Sequence, residues 1–403
     1  MDDDIIQTEY YLSWEIWTKA VKGKNWKAYS NFFISQYEKN QKKKKIRSKP
    51  YIMYLDPSSF CNLSCPFCPT GAKIIKREPG RLSLERFNHL MNHCGEYLFE
   101  LLLYNWGEPL LHTDLPEMIK CAKKFHIMTT VSSNLSIFID PQKMNEIVDS
   151  GLDNLICSID GASQDTYQKY RVDGNYELVI KNLEMLSKIK KERNSKTPHI
   201  TWQFLVFKHN QHEIEKAKLI ATQLGVTINF VKPFVSDVLH PEKWISTISE
   251  YQQDVKLRNR QTKETTIINS TTPHTKLSPT EDKPCSWLWS AIAVSPIYSV
   301  SPCCGIADEI NDFGKIKDSF FDFWNNDKYQ SARDYFKTGK NRTDVICHRC
   351  PIPDIQQSIR NNDVQIFSYL YTKSGSFTKS LLRFLLRRID PELYQKTLDL
   401  FKQ

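Results

Sequence analysis

The segment "FCNLSCPFCPTGAK", residues 60–73, places Cys61, Cys65 and Cys68 within eight positions, directly after "YIMYLD", an apolar run with strand character. Outward from it the chain alternates regularly. "SLERFNHLMNHCGEY" has helical periodicity with Ser83 as its cap, "LFELLLYN" reads as a strand, "DLPEMIKCAKKF" as a helix and "HIMTTVSSN" as a strand. A helix over 141–150, the strand "NLICSID", a helical stretch to about Arg193, "HITWQFLVF", the helix "HEIEKAKLIATQLG" and "TINFV" follow. That makes six strands, each but the last followed by a helix. The pattern predicts a parallel sheet with right-handed crossovers, either an open doubly wound sheet or an incomplete β/α barrel. In both, chemistry gathers at the C-terminal ends of the strands.

Polar groups collect at those ends. The three cysteines follow the first strand, "NWGEPLLH" the second, Ser132-Ser133-Asn134 the third, and Ser158 and Asp160 the fourth. Taken singly, Glu108, Asn134 and Asp160 read as turn or cap residues; together they mark one rim.

The chain has 403 residues, 40% hydrophobic and 25% charged, which suits two domains or one large domain with appendages. The acidic start Met1-Asp2-Asp3-Asp4 lacks a signal peptide's basic region, and no apolar run has the length of a membrane span. A cytoplasmic protein is expected. Eleven cysteines in that reducing compartment point to metal or redox chemistry rather than disulfides. A net charge of +9 suggests an anionic neighbour, and the block Lys42–Lys45, with Arg47 and Lys49, carries part of it. That block reads as a solvated face. Nucleic-acid binding is the competing reading, but Trp14, Trp17, Trp26, Tyr29, Phe32 and Phe33 have near-helical spacing and predict a packed face instead.

Cysteine spacing bears on the metal. Structural zinc takes four ligands, usually in two pairs, whereas three close thiolates on a loop match three corners of a [4Fe–4S] cube. The fourth iron would then stay open to a cofactor or substrate.

Cys61-x3-Cys65-x2-Cys68, with aromatic Phe67 before the last cysteine, resembles the signature of radical S-adenosylmethionine (radical SAM) enzymes. The resemblance implies that the open iron chelates S-adenosylmethionine, that reductive cleavage yields a 5′-deoxyadenosyl radical, and that an external donor such as flavodoxin or ferredoxin supplies the electron. It also implies cofactor contacts. Phe67 is one; Gly107 and Glu108 resemble the motif that holds the methionine amino group, with Trp106 where a first glycine is usual. Ser132 and Asn134 resemble ribose-side residues, Ser158 and Asp160 a further rim pair, Arg171 a partner for the methionine carboxylate, and Gln203 a residue reaching the ribose.

A second set, Cys285, Cys303, Cys347 and Cys350, ends in C-x2-C, and its spacing alone also suits zinc. With "PCSW", "SPCCG" and "FFDFWNND" it resembles the twitch domain, the one-cluster relative of the SPASM extension. The resemblance implies an auxiliary [4Fe–4S] cluster with no open iron. Neighbouring side chains in an extended segment point opposite ways, so one of Cys303 and Cys304 is a ligand; we favour Cys303. Cys304 is then placed to return a hydrogen atom to a substrate radical.

The expected organisation is a helical basic extension (1–49), a core incomplete (β/α)6 barrel (50–235), a polar threonine-rich linker or lid (236–284), an auxiliary iron–sulfur domain (285–355) and a helical tail (356–403). In that tail "SLLRFLLRRID" reads as a packed helix or as an interfacial helix that makes peripheral membrane contact. By resemblance to aminocyclitol dehydrogenases and aminosugar epimerases, the expected substrate is a sugar, polyol or glycan, oxidised or epimerised. Ribosomal peptide maturation is the alternative, and a non-catalytic metal-bearing RNA-binding protein is the reading from another class.

Overall fold

The computed structural model describes residues 14–233, 243–252, 255–258, 265–268, 285–317, 321–340, 345–349 and 363–370, with single positions 387 and 395. Cys350, all of "SLLRFLLRRID" except Arg387, and most of the stretch read as a linker lie outside them. Within that stretch, β7 (Val255–Arg258) and β8 (Thr265–Ile268) pair antiparallel, so a two-stranded ribbon interrupts what the composition suggested was linker alone.

Six parallel strands run in sequence order: β1 (Ile52–Leu55), β2 (Glu100–Leu102), β3 (Met128–Ser133), β4 (Asn154–Ser158), β5 (His199–Leu205) and β6 (Thr227–Val231). The helices between them begin where local chemistry dictates. Ser83 accepts from Arg86 N to start α3 (Leu84–Cys94), Asp140 accepts from Lys143 N to start α5 (Pro141–Asp149), and Asn175 accepts from Leu178 N to start α7 (Tyr176–Glu192). Phe87, Leu90 and Met91 of α3 share one large core with Met53, Leu101, Val131, Leu155, Trp202 and Phe204, every second residue of the strands. Helices therefore cover one face. The sheet is a curved, unclosed barrel wall rather than a doubly wound sheet, because its other face is covered differently.

The seventh parallel strand comes from the C-terminal domain. β9 (Ala291–Val294) pairs parallel with β1, Tyr54 opposite Ala293, and turns into β10 (Ser299–Ser301) and β11 (Gly314–Lys315). β9 and β10 form an antiparallel hairpin across Ser295–Tyr298 that extends the barrel sheet. Its left-handed turn position is Tyr298, φ 69°, in place of a glycine; Tyr298 donates to the Arg86 carbonyl, and the Arg86 guanidinium lies 5.2 Å from its ring centre.

The concave face is closed at its lower end by α1 (Trp14–Ala20), α2 (Trp26–Asn40) and helical residues 363–370. Trp17, Phe32, Phe367 and Tyr369 pack there on Ile52, Leu102 and Met128. Lys39 pairs with Asp363 at 3.1 Å, both side chains buried, and Tyr51 donates to Asp363 and lies 2.7 Å from Ser290 Oγ. Trp17, Tyr29, Phe32 and Phe33 thus form a packed face, as their spacing predicts, whereas Trp26, read with them, is 74% exposed. The basic block that follows docks through its backbone, the Lys43 and Lys44 carbonyls accepting from Trp289 and from buried Arg333 of the C-terminal domain.

Candidate active site

Three neighbouring loops hold the segment with Cys61, Cys65 and Cys68. Glu108 N donates to the Phe60 carbonyl (2.8 Å), Asn62 donates to the Ser136 carbonyl (2.7 Å), and Ser64 bonds the Val172 carbonyl and Asp173. The loop curls back on itself, and a Cβ on Gly71 would stand 2.4 Å from Cys65 N, so only glycine permits the closure. Burial pushes the Cys61 thiol up to about 11, and Cys65, Cys68 and Glu108 add to the shift; burial likewise raises Cys65. Two donors face the sulfurs. Asn134 Nδ2 lies 3.8 Å from Cys61 Sγ and 3.0 Å from Asn62 Oδ1, while Arg171 Nη1 lies 3.9 Å from Cys65 Sγ. Such donors compensate the negative charge of bound thiolates.

The loop after β2 is set by a residue the sequence did not single out. Asp56, buried at the end of β1, accepts from Trp106 N (2.9 and 3.0 Å) and Gly107 N (3.3 Å). The backbone N–H of Trp106, which stands where the resemblance expects a glycine, is committed to Asp56. A Cβ on Gly107 would stand 1.7 Å from Ser58 O, so this glycine has no substitute. Glu108 Oε1 accepts from Leu110 N (3.0 Å) and Oε2 from Asn134 N (2.8 Å), tying the second strand's loop to the third's. The Ser133 hydroxyl also bonds this carboxylate, and these donors oppose the upward shift that burial gives it.

Burial raises Asp56 to about 6, against the lowering effect of its backbone donors and of Arg77. For an acid raised on folding, the protonated form is the better folded one. Its contribution is fully present below about 4 and is lost as pH rises through 6. The stability of the wild type minus that of Asp56→Asn should therefore fall by about 2 kcal/mol between pH 4 and pH 7. Urea titrations of the two proteins across that range measure it, and a pH-independent difference would refute it.

Other rim residues meet in pairs. Asp160 is fully buried; it accepts from Arg171 Nε (2.6 Å) and Leu205 N (2.6 Å), so two residues read separately form one buried ion pair beside Cys65. Ser132 and Ser158 lie 3.3 Å apart, and Ser158 is in register with Gln203. Phe67 packs among Tyr170, Phe207 and Trp244, the Trp244 ring edge-on at 4.8 Å. Trp244 belongs to the stretch read as linker. Gln211 holds that segment through Ser246 (2.8 Å) and Thr247 (2.9 Å), contacts between residues too distant in sequence to be foreseen.

Of the second thiol set, the described members Cys285, Cys303 and Cys347 lie near one another, together with Cys304. Burial drives Cys303 well above the ordinary thiol range, and Cys304, Cys347 and Cys285 all lie near enough to add to the shift. Cys94 and Cys157 are buried in the helix-side core, and Cys121 is half-buried against it.

The radical SAM superfamily pattern matches residues 55–218, and an iron–sulfur cluster-binding domain, SPASM, matches residues 285–351. This chain is a radical SAM protein with a C-terminal SPASM domain. A "Probable GTP 3′,8-cyclase" of Methanococcus maripaludis is 31% identical over 125 residues, 31% of this chain and 41% of the relative. A mycofactocin maturase of Mycolicibacterium smegmatis is 23% identical over 188 residues, 45% of this chain and 46% of the relative. The chain thus spans less than half the length of these curated relatives. Among solved structures, Streptococcus suis SuiB bound to S-adenosylmethionine shares the fold, with TM-score 0.50 and 13% identity over 71% of this chain and 68% of that one.

A radical SAM domain binds a [4Fe–4S] cluster and S-adenosylmethionine, and a SPASM domain binds auxiliary iron–sulfur. The residues fit both. Three thiols share one glycine-closed loop with N–H donors aimed at two of the sulfurs, and a second group of thiols gathers around Cys303. Among the described residues no helix is long and apolar enough to cross a membrane.

Proposed function

We propose that this radical SAM enzyme takes hydrogen from a C–H bond of a sugar, polyol or glycan and oxidises or epimerises it. The observation that carries the reading is the division of the concave face. On one side Tyr54 packs against Trp287 (5.0 Å) and Tyr104 (5.9 Å). On the other, adjacent strands present hydroxyl and amide side chains in register: Thr130 beside Asn154, Thr201 beside Thr227, Ser158 beside Gln203 and Asn229. Buried Thr130 Oγ1 and Asn154 Oδ1 have no protein partner. Unpaired buried polar atoms are costly, and the half-buried Ser158, Gln203 and Asn229 of the same row offer hydroxyl and amide groups to a ligand rich in hydroxyl groups, while aromatic faces cover the apolar C–H surface of a sugar ring.

In this reading Cys61, Cys65 and Cys68 hold the first cluster, and Cys285, Cys303, Cys347 and Cys350 hold the second. Glu108, Ser132, Ser158, Gln203, Phe67 and Arg171 surround S-adenosylmethionine, and a protein such as flavodoxin or ferredoxin delivers the electron. Bound there, these cofactors supply reductive sulfonium cleavage and hydrogen abstraction from an unactivated C–H bond. The chain's own part is to orient substrate and exclude water. In the same reading Cys304, which with Cys285 and Cys303 packs against the apolar cluster that Tyr54 and Tyr104 also flank, is the thiol that returns a hydrogen atom.

The test is anaerobic turnover of the reconstituted full chain with sugars, aminosugars, polyols and short peptides, read as 5′-deoxyadenosine released. Carbohydrates should stimulate release, and Thr130→Val with Asn154→Leu should remove about tenfold of that stimulation while leaving substrate-free cleavage intact. Epimerisation would leave a Cys304 thiyl radical, to be restored by one electron from the external donor through the auxiliary cluster and one proton from solvent. Oxidation would instead pass the substrate radical's electron to that cluster and its proton to solvent. In deuterated water the first puts one deuterium on the inverted carbon and the second gives a product two hydrogens lighter. Loss of the epimerised product in Cys304→Ala would identify the hydrogen donor. Stimulation by peptides alone would replace this reading with peptide maturation.

A further inference from the structure

The Cys303–Cys304 turn is tethered to both loops that build the first cofactor site. From Cys68 a run of backbone bonds (Ala72 N to Cys68 O, Lys73 N to Thr70 O, Ile74 N and Ile75 N to Pro69 O) leads to Arg77. The Arg77 guanidinium reaches into the SPASM domain. Nη1 and Nη2 each donate to Asp312 at 2.7 Å, and Nη2 also donates to Ser301 Oγ (2.7 Å) and the Ile306 carbonyl (2.9 Å). Both side chains of this pair are buried, 8% and 4% exposed, so the contact is a desolvated two-pronged clamp rather than a surface ion pair. Ser301 and Ile306 flank Cys303 and Cys304. Alongside, Glu309 N donates to the Lys76 carbonyl (3.0 Å), and Glu78 N donates to Glu309 (3.1 Å).

The second tether comes from the loop after β2. With its amide assigned the orientation that satisfies both neighbours, Asn105 donates to the Cys304 carbonyl (3.1 Å) and accepts from Trp106 Nε1 (3.1 Å), and Gly107 and Glu108 follow Trp106. Asp56 pins that loop from below. This accounts for the tryptophan at the usual glycine position: its indole orients the amide that reaches the second thiol set.

We propose that Arg77 and Asn105 are positioning residues that hold the auxiliary-cluster turn in fixed register with the loops carrying the first cluster and S-adenosylmethionine. Each site then feels changes at the other. The proposal rests on Cys303 as an auxiliary ligand.

Arg77→Lys keeps the charge but cannot make the two-pronged contact, and Asn105→Ala removes the amide without touching a thiol. Two measurements on reconstituted full-length protein test the idea. In a background with Cys61, Cys65 and Cys68 replaced by alanine, either variant should alter the electron paramagnetic resonance signal and midpoint potential of the remaining cluster. In the otherwise intact protein, either should weaken S-adenosylmethionine binding about tenfold, followed through the first cluster's signal. Fully loaded variants with unchanged auxiliary signal, potential and cofactor affinity would overturn the proposal. If Arg77→Lys fails to fold, Asn105→Ala decides alone. Separately, an auxiliary cluster that survives Cys303→Ala would refute the ligand assignment, not the tethers.

Discussion

Replacing Cys61, Cys65 and Cys68 together by alanine should abolish 5′-deoxyadenosine formation while leaving the auxiliary cluster's spectroscopic signal in place. The two thiol groups share no residue. They sit on separate segments, one on the loop after β1 and the other around Cys303 in the SPASM domain. Iron should drop from about eight to about four atoms per chain, the content of one cube rather than two. Activity should fall to the detection limit, because no other described residue replaces the glycine-closed loop. The loop's other anchors, Asn62 on Ser136 and Glu108 N on Phe60 O, do not depend on the thiols, so the fold should persist. A triple variant that still cleaves S-adenosylmethionine, or that loses all its iron, would refute the division into two independent clusters.

Gly107→Ala should be nearly as damaging, for a steric reason. The added methyl would meet a main-chain oxygen, Ser58 O at 1.7 Å, with Ser58 C at 2.7 Å behind it, and no side chain can move aside to relieve that contact. The turn over residues 105–108 must shift, and Glu108 then loses its bonds to Leu110 N and Asn134 N. Overpacking of this kind costs about 1–3 kcal/mol. Moving the loop by about an ångström should lower S-adenosylmethionine cleavage about a hundredfold. Denaturant titration and 5′-deoxyadenosine assays on the same preparation measure the two effects. Wild-type cleavage in Gly107→Ala would show that the loop's register has no part in cofactor binding.

The chemistry-bearing pattern is local and was legible. Cysteine spacing, strand–helix alternation and Ser83 as a cap depend on residues within a few positions of one another, and periodicity records which face they share. The approximate boundaries of six strands and the helices between them follow from that, as does the choice of rim. The sequence by itself therefore determined the family, the sheet's parallel sense and the two thiol groups. Tertiary structure decided how the pieces meet. That β9 joins β1 as a seventh parallel strand depends on a register between residues more than two hundred positions apart. Asp56, Arg77 and Trp244 carry no local pattern that ties them to the site. Each became part of the site through a partner that spacing cannot name: backbone N–H groups for Asp56, the Phe67 ring for Trp244, Asp312 for Arg77. Asp160 and Arg171 show the same limit. Both were marked as cofactor residues, yet only packing revealed that they neutralise each other beside Cys65. Residue identity says what a side chain can bond; burial and long-range register decide with what, because a desolvated charge or N–H must be satisfied by whichever group the fold brings to it.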